Sequence, residues 1–268
     1  MKRYLNFTGY GGGEVYKPKV LLIRTAGTNC DKETEFAFNQ AGGEVDNIHI
    51  ETLKQKPSLV LKYQIICIPG GFSYGDVISA GKILAFEIKR FLAENLHEFM
   101  EKRDGLILGI CNGFQVLIKS GILPYRDYNQ KFSLVSNDSG RFEDRWIYLK
   151  VEGNSIWLKN LPEIITLPVA HAEGKFTGTE DDIMTLERNR QVSLRYVSPE
   201  GKEPEYPYNP NGSINNIAGI TDPTGKILGL MPHPERFIFS HQAPDWLYKK
   251  DILPYGRIIF KNAIEYFK

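Results

Sequence analysis

Two short turns in this chain fit the pattern G-x-nucleophile-x-G, in which glycines on both sides leave room for a reactive side chain in a strained strand-to-helix turn. They are Gly71-Phe72-Ser73-Tyr74-Gly75 and Gly109-Ile110-Cys111-Asn112-Gly113. Context ranks them. Cys111 stands at the junction of an apolar run of strand length, Gly105 to Cys111, and a helically spaced run, Asn112 to Ser120, closed by Gly121. Ser73 follows a strand-like run but leads into Asp76-Val77-Ile78 and Gly81, a poor start for a helix. Cys111 is therefore the first candidate nucleophile and Ser73 the second; tight strand–helix packing is the non-catalytic account of the flanking glycines. A helix N-terminus presents partial positive charge, which favours the thiolate. The N–H of Asn112 would point at an oxyanion forming on an attacked carbonyl. Gly70-Gly71, at the end of the preceding strand, is the natural source of a second donor.

A thiol nucleophile needs a base and a group that orients it. His233-Pro234-Glu235 follows the apolar run Ile227 to Met231, with Pro232 and Pro234 stiffening the loop. With one residue between them, the carboxylate can fix the imidazole tautomer and stabilise the imidazolium. His171-Ala172-Glu173 repeats that spacing. Zinc deaminases also use His-x-Glu, but with a following Pro-Cys-x-x-Cys that this chain lacks, so no metal site is expected. Cys30 lies at the start of a predicted helix without flanking glycines, and capping by Asn29 or Asp31 is the simpler account there. Cys67, inside an apolar strand, reads as a buried inert thiol. His49, His97 and His241 read as structural or solvated. No Gly-Lys is followed by Ser or Thr and no G-x-G-x-x-G follows a strand, so no nucleotide site is visible.

These groups need a scaffold. Apolar runs at Lys19–Thr25, Glu44–Ile50, Tyr63–Ile68 and Gly105–Cys111 alternate with helical patterns at Cys30–Ala41, Ser79–Lys102 and Asn112–Ser120. Strands apolar on both faces, alternating with helices, predict a doubly wound αβα sandwich. Ligands in such sheets sit at the carboxyl ends of the strands, near the topological switch point. That puts Gly70-Gly71 and Cys111 on the functional edge. The second half predicts further strands at 132–136, 146–151, 165–169, 191–197, 217–221 and 227–231, the last two forming a hairpin around Asp222-Pro-Thr-Gly225, and a closing helix at 256–267. Residues 1–18, rich in glycine, read as a flexible extension before one domain at 19–268.

Composition sets outer bounds. The 268 residues suffice for a large core, and 42% hydrophobic with 24% charged residues is ordinary for a globular protein. Lys plus Arg total 33 and Asp plus Glu total 32, which argues against nucleic acid or an anionic membrane as partner. Three scattered cysteines disfavour a disulfide framework and point to a reducing, cytoplasmic setting. No apolar run reaches the length of a membrane span.

Gly109-Ile-Cys-Asn-Gly-Phe-Gln115 with Met231-Pro-His-Pro-Glu-Arg236 resembles the class I (triad) glutamine amidotransferases. Pro69-Gly-Gly-Phe-Ser-Tyr-Gly-Asp76, Ser139-Gly-Arg-Phe-Glu143, Pro168-Val-Ala-His171, Asn209-Pro-Asn-Gly-Ser213 and Asn216-Ile-Ala-Gly219 are similar to the branch that serves purine biosynthesis. The resemblance implies a flavodoxin-like sandwich with a mixed, mostly parallel sheet. It also implies L-glutamine hydrolysis through a γ-glutamyl thioester on Cys111, with His233 and Glu235 completing a triad and Gly71 and Asn112 holding the oxyanion. Gly70, Phe72, Gln115, His171, Ala172 and Glu173 are then the substrate-binding positions. Ala172 stands where the family carries glycine. The resemblance further implies no cofactor in this chain, and ammonia delivery to a large synthetase subunit that uses ATP and Mg to amidate formylglycinamide ribonucleotide. A small accessory subunit would complete the complex. The rival readings are a free-standing cysteine hydrolase of γ-glutamyl substrates and a non-catalytic scaffold.

Overall fold

Ile65–Ile68 and Leu106–Ile110 are buried at every position, which demands cover on both faces. In the computed structural model, which describes residues 16–268, they are two central strands of a nine-stranded sheet. The expected extension falls mostly outside the described residues. The strands of the first half are β1 (Lys19–Arg24), β2 (Glu44–His49), β3 (Ile65–Ile68) and β4 (Leu106–Ile110). The second half adds β5 (Ser133–Val135), β6 (Glu143–Val151), β7 (Ile164–His171), β8 (Lys175–Thr177), β9 (Val192–Val197), β10 (Ile217–Thr221) and β11 (Ile227–Leu230). The main sheet has the order β2-β1-β3-β4-β11-β10-β9-β6-β7, and β5 pairs with β8 in a separate ribbon.

The first five strands in that order are mutually parallel, and the remaining pairings are antiparallel. Followed across the sheet, β9 and β7 run in the direction of the parallel block, and β10 and β6 run against it. The carboxyl ends of β3, β4, β11 and β7 therefore share one edge, although they are far apart in sequence.

The helices are α1 (Asp31–Ala41), α2 (Ile50–Gln55), α3 (Lys82–Phe91), α4 (Ala93–Lys102), α5 (Asn112–Lys119), α6 (Glu180–Arg188) and α7 (Tyr255–Glu265). The chain leaves β1 toward β2 and returns past it to β3, so the switch point lies between β1 and β3. Right-handed crossovers then place α1 and α3 on opposite faces. α1 packs with α7, and α3 packs with α5. At the switch point the loops after β1 and β3 are laced together: Phe72 N–H donates to Gly27 O (2.9 Å), Tyr74 N–H to Ala26 O (2.7 Å) and Cys30 N–H to Gly70 O (3.2 Å).

Two local expectations are revised and one helix is added. The run Ser79–Lys102 is two helices, broken at Leu92 (φ −116°, ψ −6°), whose side chain is fully buried. The break lets α4 turn and pack against the 3₁₀ turn Pro57–Lys62, which a straight helix would pass by. α6 is the added helix: Thr179 Oγ1 accepts the Asp182 N–H (3.2 Å) and acidic residues fill the first turn, a legible N-cap. Cys30 itself occupies the N-cap position of α1, and neither Asn29 nor Asp31 caps it: the Asn29 side chain meets the Cys30 thiol, and Asp31 accepts from Asn47. No helix among the described residues is long and apolar enough to cross a membrane.

Candidate active site

Cys111 sits between β4 and α5 with φ 51° and ψ −104°, a backbone state uncommon for a residue with a side chain. The surroundings hold it there. Its N–H donates to Leu230 O of β11 (2.8 Å), and its carbonyl accepts from Gln115 N–H (3.1 Å). Gly109 and Gly113 meet face to face, and Gly113 lies on the backbone of Ile68, so any side chain at either glycine would drive helix and strand apart. Sγ lies 3.7 Å from Ala170 O, at the end of β7.

The turn after β11 brings in His233, the expected base. His233 N–H donates to Pro168 O (2.8 Å), tying the turn to β7, and His233 Nδ1 donates to Glu235 Oε1 (2.6 Å). Both side chains are buried. His233 Nε2 and Glu235 Oε2 have no hydrogen-bond partner among the described residues. Burial works to lower the His233 pKa, but the Glu235 carboxylate and Cys111 outweigh it and hold the imidazole well above its ordinary value. A base that retains its proton is suited to pair with a thiolate and to protonate a leaving amine.

The two N–H groups expected to meet an oxyanion lie on the neighbouring loops. Asn112 begins α5, where first-turn N–H groups have no partner within the helix. Gly71 N–H has no backbone partner among the described residues, whereas its neighbour Phe72 is bonded to Gly27. The Asn112 side chain braces this wall: Oδ1 accepts from Ser73 N–H (3.2 Å), while Nδ2 donates to Asp76 Oδ1 (3.1 Å) and Gln115 Oε1 (2.9 Å). Ser73 is thus a buried wall residue in a 3₁₀ turn, not an elbow.

A cleft of about 170 Å³ opens above Cys111. Gly71, Phe72, Cys111, Gln115, His171, Ala172 and Glu173 border it, together with Asp76, Ala80 and Ala170, which the sequence reading did not single out as site residues. Gly70 lies deeper, its Cα against the His233 ring and the Cys30 sulfur, so it spaces His233 rather than borders the cleft. Gln115 Nε2 donates to Glu173 O (2.5 Å), and the Glu173 carboxylate accepts from Ala80 N–H (3.2 Å). Phe72 is half-exposed at the mouth beside Phe142.

Cys67 is fully buried in β3, and burial raises its thiol pKa well above the ordinary range, which keeps it inert. Among the described residues one cluster has the composition of a metal site: Cys30, His233 and Glu235, with ligand atoms within 4.8 Å of one another. Arg236 Nη2 already donates to Cys30 Sγ (3.3 Å), and Glu235 holds His233 Nδ1. The Arg236 guanidinium sets a positive charge against that cluster, which disfavours a cation there.

His171 is buried, with Nδ1 3.1 Å from Asn137 Oδ1. Burial, reinforced by the charge of His233, pushes its pKa down to about 3. The unfolded chain takes up this proton near pH 6.5 and the folded chain does not until about pH 3. The stabilisation is therefore full above pH 6.5 and is lost as pH falls toward 3, at about 1 kcal/mol per unit. His171→Gln should flatten this part of the stability–pH curve, measured by denaturant unfolding from pH 7 to 4. An unchanged slope would contradict a neutral, buried imidazole.

Residues 17–267 match the family model of the CobB/CobQ-like glutamine amidotransferase domain. The chain belongs to this family. Amidotransferase relatives named phosphoribosylformylglycinamidine synthase subunit PurQ include one from Dehalococcoides mccartyi, 47% identical over 86% of this chain and 89% of that protein. Another, from Archaeoglobus fulgidus, is 41% identical over 92% of this chain and 96% of that protein. Among solved structures, a chain of PurLQS from Thermotoga maritima superposes with a TM-score of 0.72 at 30% identity, covering 94% of this amidotransferase and 100% of that chain.

Proposed function

We propose that this chain is the glutaminase subunit of a phosphoribosylformylglycinamidine synthase, with Cys111, His233 and Glu235 as its catalytic triad. The observation that carries the reading is the junction at β4–α5: Cys111 in its left-handed turn, below a small cleft and beside the buried His233–Glu235 pair. Cys111 Sγ attacks the side-chain carbonyl carbon of L-glutamine. The developing oxyanion is met by the N–H groups of Asn112 and Gly71. His233 passes a proton to the departing nitrogen, which leaves as ammonia, and a γ-glutamyl thioester remains on Cys111. Water, deprotonated by His233, attacks the thioester; glutamate leaves and the thiol is restored. The cleft suits one amino acid, whose α-carboxylate meets the N–H groups of Ala172 and Glu173; support comes from their lack of backbone partners among the described residues.

The ammonia passes to a large synthetase subunit, where ATP and Mg drive amidation of formylglycinamide ribonucleotide, and a small accessory subunit completes the assembly. The setting is the cytoplasm. Support for the partners comes from the names of the relatives and of the PurLQS structure. The test is release of glutamate and ammonia from L-glutamine by the purified chain, alone and with the synthetase subunit. The expected result is slow turnover alone and faster turnover in the complex. A chloromethyl ketone analogue of glutamine should label Cys111, located by peptide mapping. Hydrolysis of γ-glutamyl peptides without glutaminase activity would establish the free-standing hydrolase instead, and labelling at Cys30 would overturn the choice of nucleophile.

A further inference from the structure

Behind the cleft, the segments around Asn137 and Asn211 converge on the buried ring of His171. We propose that Asn137 and Asn211 are positioning residues: they lock His171 as the neutral Nδ1–H tautomer and thereby hold the backbone of residues 171–174 in the geometry that grips glutamine. The inference rests on the glutaminase reading for its substrate, not for its geometry.

Asn137 is a four-way clamp. Its Nδ2 donates to His171 O (2.8 Å) and Arg141 O (2.8 Å). Its Oδ1 accepts from Gly174 N–H (3.0 Å) and lies 3.1 Å from His171 Nδ1. Its own backbone N–H donates to Ala172 O (2.9 Å). The amide has one permitted orientation, because a flip would set its oxygen against two carbonyls and its nitrogen against a backbone donor. His171 Nδ1 must therefore carry a hydrogen and donate it.

That leaves His171 Nε2 as an acceptor, and Asn211 supplies the donor. Asn211 Oδ1 accepts from Ser213 N–H (3.0 Å) and Ser213 Oγ (2.7 Å), which turns its Nδ2 toward His171 Nε2 (3.4 Å) and Tyr196 Oη (3.1 Å). A protonated imidazole would set two donors against each other there. Asn137, His171 and Asn211 are all nearly inaccessible, so each broken bond would leave a buried polar atom without a partner.

The network acts on the substrate wall, not on the nucleophile. It engages the carbonyls of His171 and Ala172 and the N–H of Gly174 from behind. Ala172 and Glu173 border the cleft, and their N–H groups have no backbone partner among the described residues. The network has no hydrogen bond to His233 or Glu235, and the Cys111 backbone is held by β11 and α5. Its loss should therefore weaken glutamine binding while the thiol keeps its reactivity.

The test is steady-state glutaminase kinetics of the complete complex carrying Asn137→Ala or Asn211→Ser, with the rate of Cys111 alkylation by iodoacetamide as a readout independent of glutamine. The expected result is a KM raised about tenfold or more, kcat within a few-fold of wild type, and unchanged alkylation. A merely structural role would lower the active fraction and leave KM unaltered, which would overturn the proposal. Nitrogen NMR of labelled wild-type chain supplies a second measurement if the variants do not fold. A neutral Nδ1–H His171 supports the lock, and an Nε2–H or charged ring refutes it. Because the tautomer needs no turnover, it separates failure of this inference from failure of the glutaminase reading, which would show as wild-type protein inert toward glutamine.

Discussion

Cys111→Ala is expected to reduce glutamine hydrolysis by about 10⁴-fold or more while leaving the fold intact. No other group described at the cleft can form the acyl intermediate: Ser73 is a buried wall residue in a 3₁₀ turn, Cys67 is sealed in β3, and the Cys30 sulfur is held by Arg236 behind the base. The fold should tolerate the change because the turn is maintained by backbone bonds from Leu230 and Gln115 and by Gly109 and Gly113, not by the sulfur. Alanine meets the same left-handed cost as cysteine at φ 51°. Glutamine should still bind, since the donors of residues 171–173 remain. The check is turnover, thermal unfolding and mass spectrometry of a trapped thioester. Residual activity near the wild-type level would remove Cys111 from the mechanism.

Gly71→Ala should lower kcat by about 10²- to 10³-fold, the range associated with loss of one oxyanion donor. Gly71 has φ 144°, a region that side chains disfavour, and its loop is pressed against the loop after β1. A Cβ there would lie 2.8 Å from Asn29 N, 2.8 Å from Gly27 O and 2.9 Å from Thr28 Cα. All three are backbone atoms, so no rotamer change relieves the crowding and the loop itself must shift. The amide that shifts is the one proposed to meet the oxyanion. Cys111 and His233 stand on other strands, so alkylation of the thiol by iodoacetamide should continue at the wild-type rate. Loss of kcat with retained alkylation would isolate the oxyanion wall; kcat within a few-fold of wild type would place the second donor elsewhere.

The parallel half of the fold and the turn at Cys111 were legible because both are encoded locally. Ile65–Ile68 and Leu106–Ile110 are apolar at consecutive positions, and only a strand covered on both faces consumes that pattern. Cys111 between two glycines, at a change from strand to helix, marks an elbow for the same reason. His233 and Glu235 were legible as a pair because a single intervening residue lets one side chain reach the other. Elements whose form depends on distant packing were not. The break at Leu92 follows from where α4 must dock, and nothing in the local sequence marks it. The Cys30–Arg236 contact spans 206 positions and leaves no local sign.

What the sequence by itself determined is the set of reactive groups and the two-faced strands that carry them, since side-chain chemistry and hydrophobic period are properties of adjacent residues. What only the tertiary structure decided is how they meet. β7 lies at the far end of the sheet from β1 but runs with the parallel block, so His171 to Glu173 arrive at the same edge as Cys111 and His233. Strand order alone would leave β7 four strands from β11; the convergence rests on strand direction and on the long-range contacts of His233 N–H with Pro168 O (2.8 Å) and of Cys111 Sγ with Ala170 O (3.7 Å). The roles of Asn137 and Asn211 appear only there. An asparagine is a surface residue by default, and it becomes a clamp only when folding removes water and leaves buried carbonyls, an amide and an imidazole to be satisfied at once.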